Sequence, residues 1–403
     1  MTKVLIIDTH PVQYRAPIYA DMAQAHDVSL VVAYYNDASV QGYLDVEFQK
    51  EIKWNTPLLS GYAYEVLLPG RKDTRDGFFG FKGINVLALL RRHKPDLVIV
   101  HSVNHLVGIR FGLVARLLGI RCWLRVETQD EAFVRRSGMK QNLRKLIYRS
   151  VYSLFDGAFC FGKLNRQHLL AHGFRPQQLV TTHFSTVDKY QGLSEDDKQS
   201  RRDTLRHRLG ISPDRLVVGV FGKLISKKDP ETVMKACLQL AERLQRDVTC
   251  ILVGSGALEA ELVERYGNAA QVRFVFAGFV NQEEIGDYYL AADVVVLASR
   301  REGEVWGLVC NEALQAGCAL AMSEAVGAAA EFGGLERCGI FPTGDVGALV
   351  DLLVRLAAFP RDFNWCRQFM EDYSTETAAR NMLTVARQSR RHGQIDGQEL
   401  RAQ

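Results

Sequence analysis

Runs dominated by apolar and β-branched residues recur along the chain, separated by stretches in which apolar positions return every three or four residues. Such runs occupy 4–8, 28–35, 62–68, 97–101, 122–127, 158–161 and 180–184, as expected of strands buried in a parallel sheet. Helical spacing falls between them, over 83–93, over 108–118 and after Pro17 as far as Ala25. Strands that alternate with helices predict βαβ units. A second series begins at 216–221 and continues at 249–253, 272–277, 294–297, 319–322 and 339–341. Between the two series, 192–202 is polar and charged, which marks a connector carrying a surface helix. A last helical pattern covers 373–391, and a polar tail follows to 403. The chain is therefore α/β, with two Rossmann-like βαβ domains facing across a cleft: a first domain over 1–190, a connector over 191–213, a second domain over 214–372 and a terminal helix with its tail over 373–403.

At 403 residues there is room for two domains, each with its own core. Charge is nearly balanced, 50 basic against 46 acidic residues, so no nucleic-acid partner is expected. Eight cysteines, at 122, 160, 237, 250, 310, 318, 338 and 366, sit mostly inside apolar runs and form neither a CxxC pair nor a Cys/His cluster of metal spacing. They read as buried thiols in a reducing compartment. Met1-Thr2-Lys3 runs straight into a strand with no basic-then-apolar leader, and no apolar run approaches the roughly 18 residues that cross a bilayer. A cytoplasmic protein is expected.

The stretch 300–314 changes the picture from fold to chemistry. It follows the uncharged run Val294-Val295-Val296-Leu297, turns at Gly303 and Gly307, and takes on helical spacing from about Gly307. The mouth of this strand–loop–helix unit lies at the carboxyl end of the sheet, where open α/β folds bind ligands. Glu304 stands in the loop and Glu312 in the helix, with seven residues between them. Helical side chains lean toward the helix N-terminus, so Glu312 is aimed back at Glu304. Backbone amides of Val305, Trp306, Gly307 and Leu308 can face a phosphate or pyrophosphate, and a carboxylate there can accept both hydrogen bonds of a vicinal diol. The plainer alternative is a solvated loop glutamate and an exposed helix glutamate.

Other loops add candidates, each with a bland counterpart. Gly222 and Lys223 follow the strand 216–221, with Lys228 five residues on; two compact cations suit a diphosphate, although loop lysines are usually solvated. Gly254-Ser255-Gly256 lies between a strand and a helix but does not complete the dinucleotide fingerprint. Thr9-His10-Pro11-Val12-Gln13-Tyr14 could present His10, Gln13 or Tyr14 to a ligand, or form only a proline-stiffened turn. Arg125 and Glu127 share a strand face and read as a buried ion pair, functional or structural. His101 ends the run 97–101 at the cleft side. Segment 133–150 interleaves six cations with apolar residues, fit either for an anionic bilayer surface or for an ordinary surface helix.

Glu304-x7-Glu312 with an internal Trp-Gly-Leu-Val-x-Asn-Glu-Ala resembles the E-x7-E signature of the retaining glycosyltransferases of family 4, which have the GT-B fold. The resemblance extends over most of the chain. It implies transfer of a hexose from a nucleotide diphosphate sugar to an acceptor hydroxyl with retention, without an obligatory metal or other cofactor. The acceptor would be a glycan, a lipid-linked sugar or a small molecule, in surface polysaccharide or glycolipid assembly, at the inner face of the membrane. Glu304 would hold the donor sugar and Glu312 the ribose. Lys223, standing where the family commonly has Arg, and Lys228 would neutralise the diphosphate. Gly222, Gly254 and Val280 would line the donor cleft, Val280 against the base, and the last helix would cross back to the first domain. Two departures stand out: no glycine follows the first strand, and Glu127 occupies the region where many relatives carry a catalytic histidine. Two alternatives follow, a nucleotide-sugar 2-epimerase of the same fold and a non-catalytic sugar-nucleotide-binding partner protein.

Overall fold

A computed structural model describes residues 1–399 except 42, 46–49, 53–56, 71–76, 133–138 and 270. Strands β1 (Thr2–Asp8), β2 (Val28–Tyr34), β3 (Tyr43–Asp45), β4 (Lys50–Ile52), β5 (Ala63–Val66), β6 (Leu97–Val100), β7 (Arg121–Leu124), β8 (Gly157–Cys160) and β9 (Leu179–Thr181) belong to the first half. β3 and β4 form a small antiparallel pair, and the other seven make one parallel sheet in the order β5-β2-β1-β6-β7-β8-β9. The second half holds β10 (Leu216–Phe221), β11 (Val248–Val253), β12 (Val272–Gly278), β13 (Val294–Leu297), β14 (Ala319–Ser323) and β15 (Cys338–Phe341), parallel in the order β12-β11-β10-β13-β14-β15. Helices cover both faces of each sheet, which is why β6 and β13 are uncharged and wholly buried.

Strand order reverses between β1 and β6 in the first sheet and between β10 and β13 in the second. At each reversal two loops leave the carboxyl ends of adjacent strands in opposite directions and open a crevice. In the first domain those loops carry residues 9–15 and 101–105; in the second they carry 222–229 and 298–308.

The terminal helix Thr375–Glu399 packs against the first domain. Ala378, Ala379, Met382, Val385 and Ala386 share a core with Ile18, Tyr19 and Met22 of helix Ala16–Ala23, and Asn381 Nδ2 donates to the Thr181 carbonyl at 2.9 Å. The connector helix Glu195–Arg208 is present, capped by Ser194, but it is no surface element. Lys198, Arg202 and Arg206 are buried, and both arginines reach Asp293. Its charge density disguised this, because its cations find partners inside the second domain.

Strand ends differ from the sequence expectation in one place that matters. β7 stops at Leu124, so Arg125 and Glu127 stand in the loop beyond it rather than on one strand face. All eight cysteines are free and buried. Among the described residues no helix is long and apolar enough to cross a membrane.

Candidate active site

A cavity of about 650 Å³ opens between the two sheets, bounded by Gln13, Tyr14 and Glu127 from the first domain and by Lys228, Glu304 to Val309, and Glu312 from the second. Glu304 is its most constrained acid. Its Oε2 accepts from Lys228 Nζ and from Ser299 Oγ, the latter at 2.9 Å. Burial pushes the Glu304 carboxyl up, but Lys228 and Ser299 more than offset it, so the group stays below the usual glutamate value. Two loops are stitched together to hold this pair. Arg300 N donates to the Lys227 carbonyl at 2.7 Å, and Arg300 Nε donates to Asp229 Oδ2 at 3.1 Å.

Glu312 lies in the first turn of helix Val309–Gln315, half-buried, and accepts from the Tyr289 hydroxyl at 2.6 Å. Burial raises its carboxyl above the ordinary value; Tyr289 and Lys189 only partly oppose this. The helix begins two residues later than its spacing predicts and spans seven residues. Gly307 explains the delay. Its φ of +96° is left-handed, and a Cβ there would meet Leu297 Cδ2 at 2.5 Å, so the chain turns sharply before the helix starts.

Trp306 borders the cavity while its side chain turns away into the core. Its indole is buried among Phe161, Phe184, Phe332 and Tyr373, and its Nε1 donates to Asn311 Oδ1 at 2.8 Å. Asn311 Nδ2 in turn donates to the Phe184 carbonyl at 2.8 Å, so this motif pair joins the domains. Val305 and Leu308 line the cavity. Gly222, Lys223, Gly254 and Val280 follow the ends of β10, β11 and β12, to one side of the cavity lining. Gly254, at φ +137°, is required there: a Cβ would fall 1.9 Å from the Gly222 carbonyl oxygen.

On the first-domain wall, Glu127 Oε2 accepts from the Tyr14 hydroxyl at 2.5 Å. Its Oε1 lies 3.7 Å from Arg15 Nε and 4.0 Å from Arg125 Nη1, and none of these three buried atoms has a hydrogen-bond partner. The Arg125–Glu127 pair is thus a long ion pair without a hydrogen bond; Arg125 Nη2 donates instead to the His183 carbonyl at 3.3 Å. His101 is buried beside Arg15 and 3.1 Å from the Tyr19 hydroxyl. Burial, with Arg15 and Arg125, holds it well below the usual histidine value, so it is neutral.

His10 and His101 line a second, polar cavity of about 250 Å³ within the first domain, and Glu127 borders both this cavity and the cleft. Sequence reasoning missed Asp8, Arg15 and Tyr19, which join His101 in one buried network: Arg15 Nη1 donates to Asp8 Oδ1 at 2.5 Å and Tyr19 to Asp8 Oδ2 at 2.7 Å. An aspartate ending β1 with a following Arg and Tyr was the available signal. Also missed was the strap 129–132, which crosses to the Glu304 loop. Gln129 Nε2 donates to the Val305 carbonyl at 3.4 Å, Gly303 N to the Ala132 carbonyl at 2.8 Å, and Arg301 Nη1 to the Glu131 carbonyl at 2.7 Å.

The family described as "Glycosyl transferase 4-like domain" matches residues 13–184, and "Glycosyl transferases group 1" matches residues 201–358. The chain belongs to the GT-B glycosyltransferases of the group 1 and family 4 type. The uncharacterized glycosyltransferase MJ1607 of Methanocaldococcus jannaschii is 30% identical over 249 residues, 60% of each chain. The D-inositol 3-phosphate glycosyltransferase of Corynebacterium diphtheriae is 33% identical over 168 residues, 40% of this chain and 35% of that protein. The chain therefore matches less than two thirds of the length of either relative. Anabaena Alr3699/HepE, solved with UDP and glucose, superposes over 100% of both chains with a TM-score of 0.58 at 18% identity, a likeness of fold. This member of the family places both acids of its E-x7-E segment on one cavity.

Proposed function

We propose that the enzyme moves a hexose from a nucleotide diphosphate sugar to an acceptor hydroxyl with retention of anomeric configuration, and that no metal ion takes part at the reacting centre. The Lys228–Glu304 pair facing Glu312 across one cavity carries this reading. Two acids on one cavity suit a ligand with two sugars joined by a diphosphate, one acid for each sugar. Glu312 accepts from the ribose diol and Glu304 from hydroxyls of the transferred sugar. Lys228, held poised by Glu304, turns to the departing diphosphate as its charge develops, and Lys223 supports it from the start of the same loop. That the relative HepE was solved with UDP supports a nucleotide of this kind as donor.

The acceptor enters from the first-domain side. Glu127 borders both cavities and offers Oε1, buried without a hydrogen-bond partner, to an acceptor hydroxyl. As the bond from the anomeric carbon to the diphosphate breaks, the acceptor oxygen bonds that carbon and its proton leaves to the diphosphate. Domain closure excludes water, which would otherwise hydrolyse the donor.

Acceptors at the inner face of an anionic membrane fit one further observation. Of the basic segment 133–150, residues 133–138 lie outside the described residues, and the rest is covered by helix Met139–Tyr152. That helix turns Tyr148 and Tyr152 inward and leaves Leu143, Leu146 and Ile147 58%, 61% and 53% exposed, beside Arg144, Lys145 and Arg149. An apolar stripe flanked by cations suits a surface of anionic lipid in polysaccharide or glycolipid assembly.

The deciding experiment is a thermal-shift screen of UDP-, GDP-, ADP- and TDP-sugars, followed by NMR of the product formed with the best donor. Stabilisation by one donor and an anomeric centre of unchanged configuration are expected. An inverted product would end the retaining reading; an epimer formed without acceptor would make the protein a 2-epimerase.

A further inference from the structure

Outside the cleft, Asp130, His168 and His172 offer ligand atoms that all lie within 4.8 Å of one another. His168 and His172 stand four residues apart at the end of helix Lys163–Ala171, a spacing that puts both rings on one face. The ring centroids are 4.2 Å apart and both side chains are buried, whereas the Asp130 side chain is 47% exposed. Solvent therefore reaches the cluster from the carboxylate side.

The hydrogen bonding of His168 points to a cation. Its Nε2 lies 2.9 Å from the Tyr152 hydroxyl, the kind of outer partner that fixes the ring and tautomer of a metal-binding histidine. With that nitrogen protonated, Nδ1 is a bare lone pair. It is buried, has no hydrogen-bond partner, and stands 3.1 Å from Asp130 Oδ1. In that tautomer two acceptors face each other with no proton between them, and a cation placed there would satisfy both. His172 Nδ1 lies 4.0 Å from the other carboxylate oxygen and 2.7 Å from the His168 carbonyl, a contact it would exchange for the ion.

We propose that Asp130, His168 and His172 bind one divalent transition-metal ion of the Zn²⁺ class, with water in the remaining position. Two imidazole nitrogens and a carboxylate oxygen are the donor set that such an ion takes, and a fourth, open position completes a tetrahedron. None of the three residues lines the cleft, so the ion's part is in positioning. Asp130 opens the turn Asp130–Ala132, and its neighbours Gln129, Glu131 and Ala132 hold the Glu304 loop. An ion at Asp130 would fasten that strap to helix Lys163–Ala171, whose first residue, Lys163, itself donates to Glu331 of the second domain.

The test is metal content and cobalt spectroscopy on the full chain. Protein stripped with chelator, reloaded with Zn²⁺ and desalted should hold one zinc per chain by plasma mass spectrometry. Co²⁺ loading should give the visible absorption of a four-coordinate nitrogen and oxygen site. Asp130→Asn, at a half-exposed position, and His172→Gln should fold with the parent's circular dichroism and lose both signals. Parent protein that holds neither metal overturns the proposal, because the cluster is then only a His–Asp ion pair. Variants that fold and retain zinc as the parent does overturn it equally.

Discussion

The two walls of the cleft are built in opposite ways. The second-domain wall takes Glu304 and Glu312 from a single stretch between β13 and a short helix, and adds Lys228 from the loop after the adjacent strand. The first-domain wall gathers Tyr14 and Glu127, which lie 113 residues apart, around Arg15, His101 and Arg125. Charge is disposed differently too. Arg15 is committed to Asp8 inside its own domain, whereas Lys228 pairs with an acid that a ligand can displace. On the proposed reading the first wall is a fixed polar frame, and the second is the part that responds to substrate.

The largest effect should come from cutting the responsive side. Glu304→Ala is expected to lower kcat on the order of 10²–10³-fold, as loss of a preorganised electrostatic partner does elsewhere. Stability should change little. Lys228→Ala should do the same, and the double variant should fall short of the product of the two single effects, because Glu304 also holds Lys228 in place for the diphosphate. Full additivity would mean that Glu304 does not position Lys228.

Asp8→Ala addresses the frame. It leaves the Arg15 guanidinium buried beside a neutral histidine without its 2.5 Å partner. Breaking a buried pair from one side costs about 3–5 kcal/mol, so the urea midpoint should fall sharply. The donor KM of the protein that remains folded should hold. A large rise in donor KM at unchanged stability would show that the first wall is no mere frame.

This contrast also explains what the sequence disclosed. Period and burial placed the strands of both sheets within a few residues, because each strand's apolar run is local. The acids at 304 and 312 were legible for the same reason: a loop and one helical turn fix their relation without help from the rest of the chain. Asp8, Arg15 and Tyr19 were not, and His101 stood without its partners, since only the parallel register of β1 with β6, Ile7 opposite Val100, brings the group together. Arg125 and Glu127 were read on a strand that ends at Leu124, so their partners, Tyr14 and the His183 carbonyl, could not be guessed. The buried arginines of helix Glu195–Arg208 were hidden by composition, which reports charge but not the acid that meets it.

Glu127→Gln tests where the two walls meet. Gln keeps the acceptor that Tyr14 needs but loses the charge offered by Oε1. We expect acceptor KM to rise about tenfold, the equivalent of one hydrogen bond to a charged group. Donor KM should stay constant. If donor KM rises instead, Glu127 belongs to the donor sugar, and the division of labour between the walls fails.

The mildest effect is a pH dependence confined to the second wall. Burial lifts the Glu312 carboxyl above the ordinary glutamate value, and Lys228 keeps that of Glu304 below it. Over the interval between those values, falling pH protonates Glu312 while Glu304 stays charged. A protonated Glu312 is a weaker acceptor for the two hydroxyls of a ribose, because it has lost its charge and one oxygen now donates, so donor KM should rise several-fold as pH falls through its raised pKa. kcat at saturating donor should not change over that interval. Glu312→Gln should give a donor KM that is flat in pH and close to the parent's acid-side value. The stability sign runs the other way. A carboxyl raised in the folded state favours folding below its unfolded pKa, and that contribution is lost as pH rises through the folded pKa. The Gln variant, whose amide oxygen can still accept from Tyr289, should therefore melt above the parent at neutral pH, and the gap should close as pH falls. An acid limb in donor KM that survives in the Gln variant would assign the titration to another group and leave Glu312 as a packing residue.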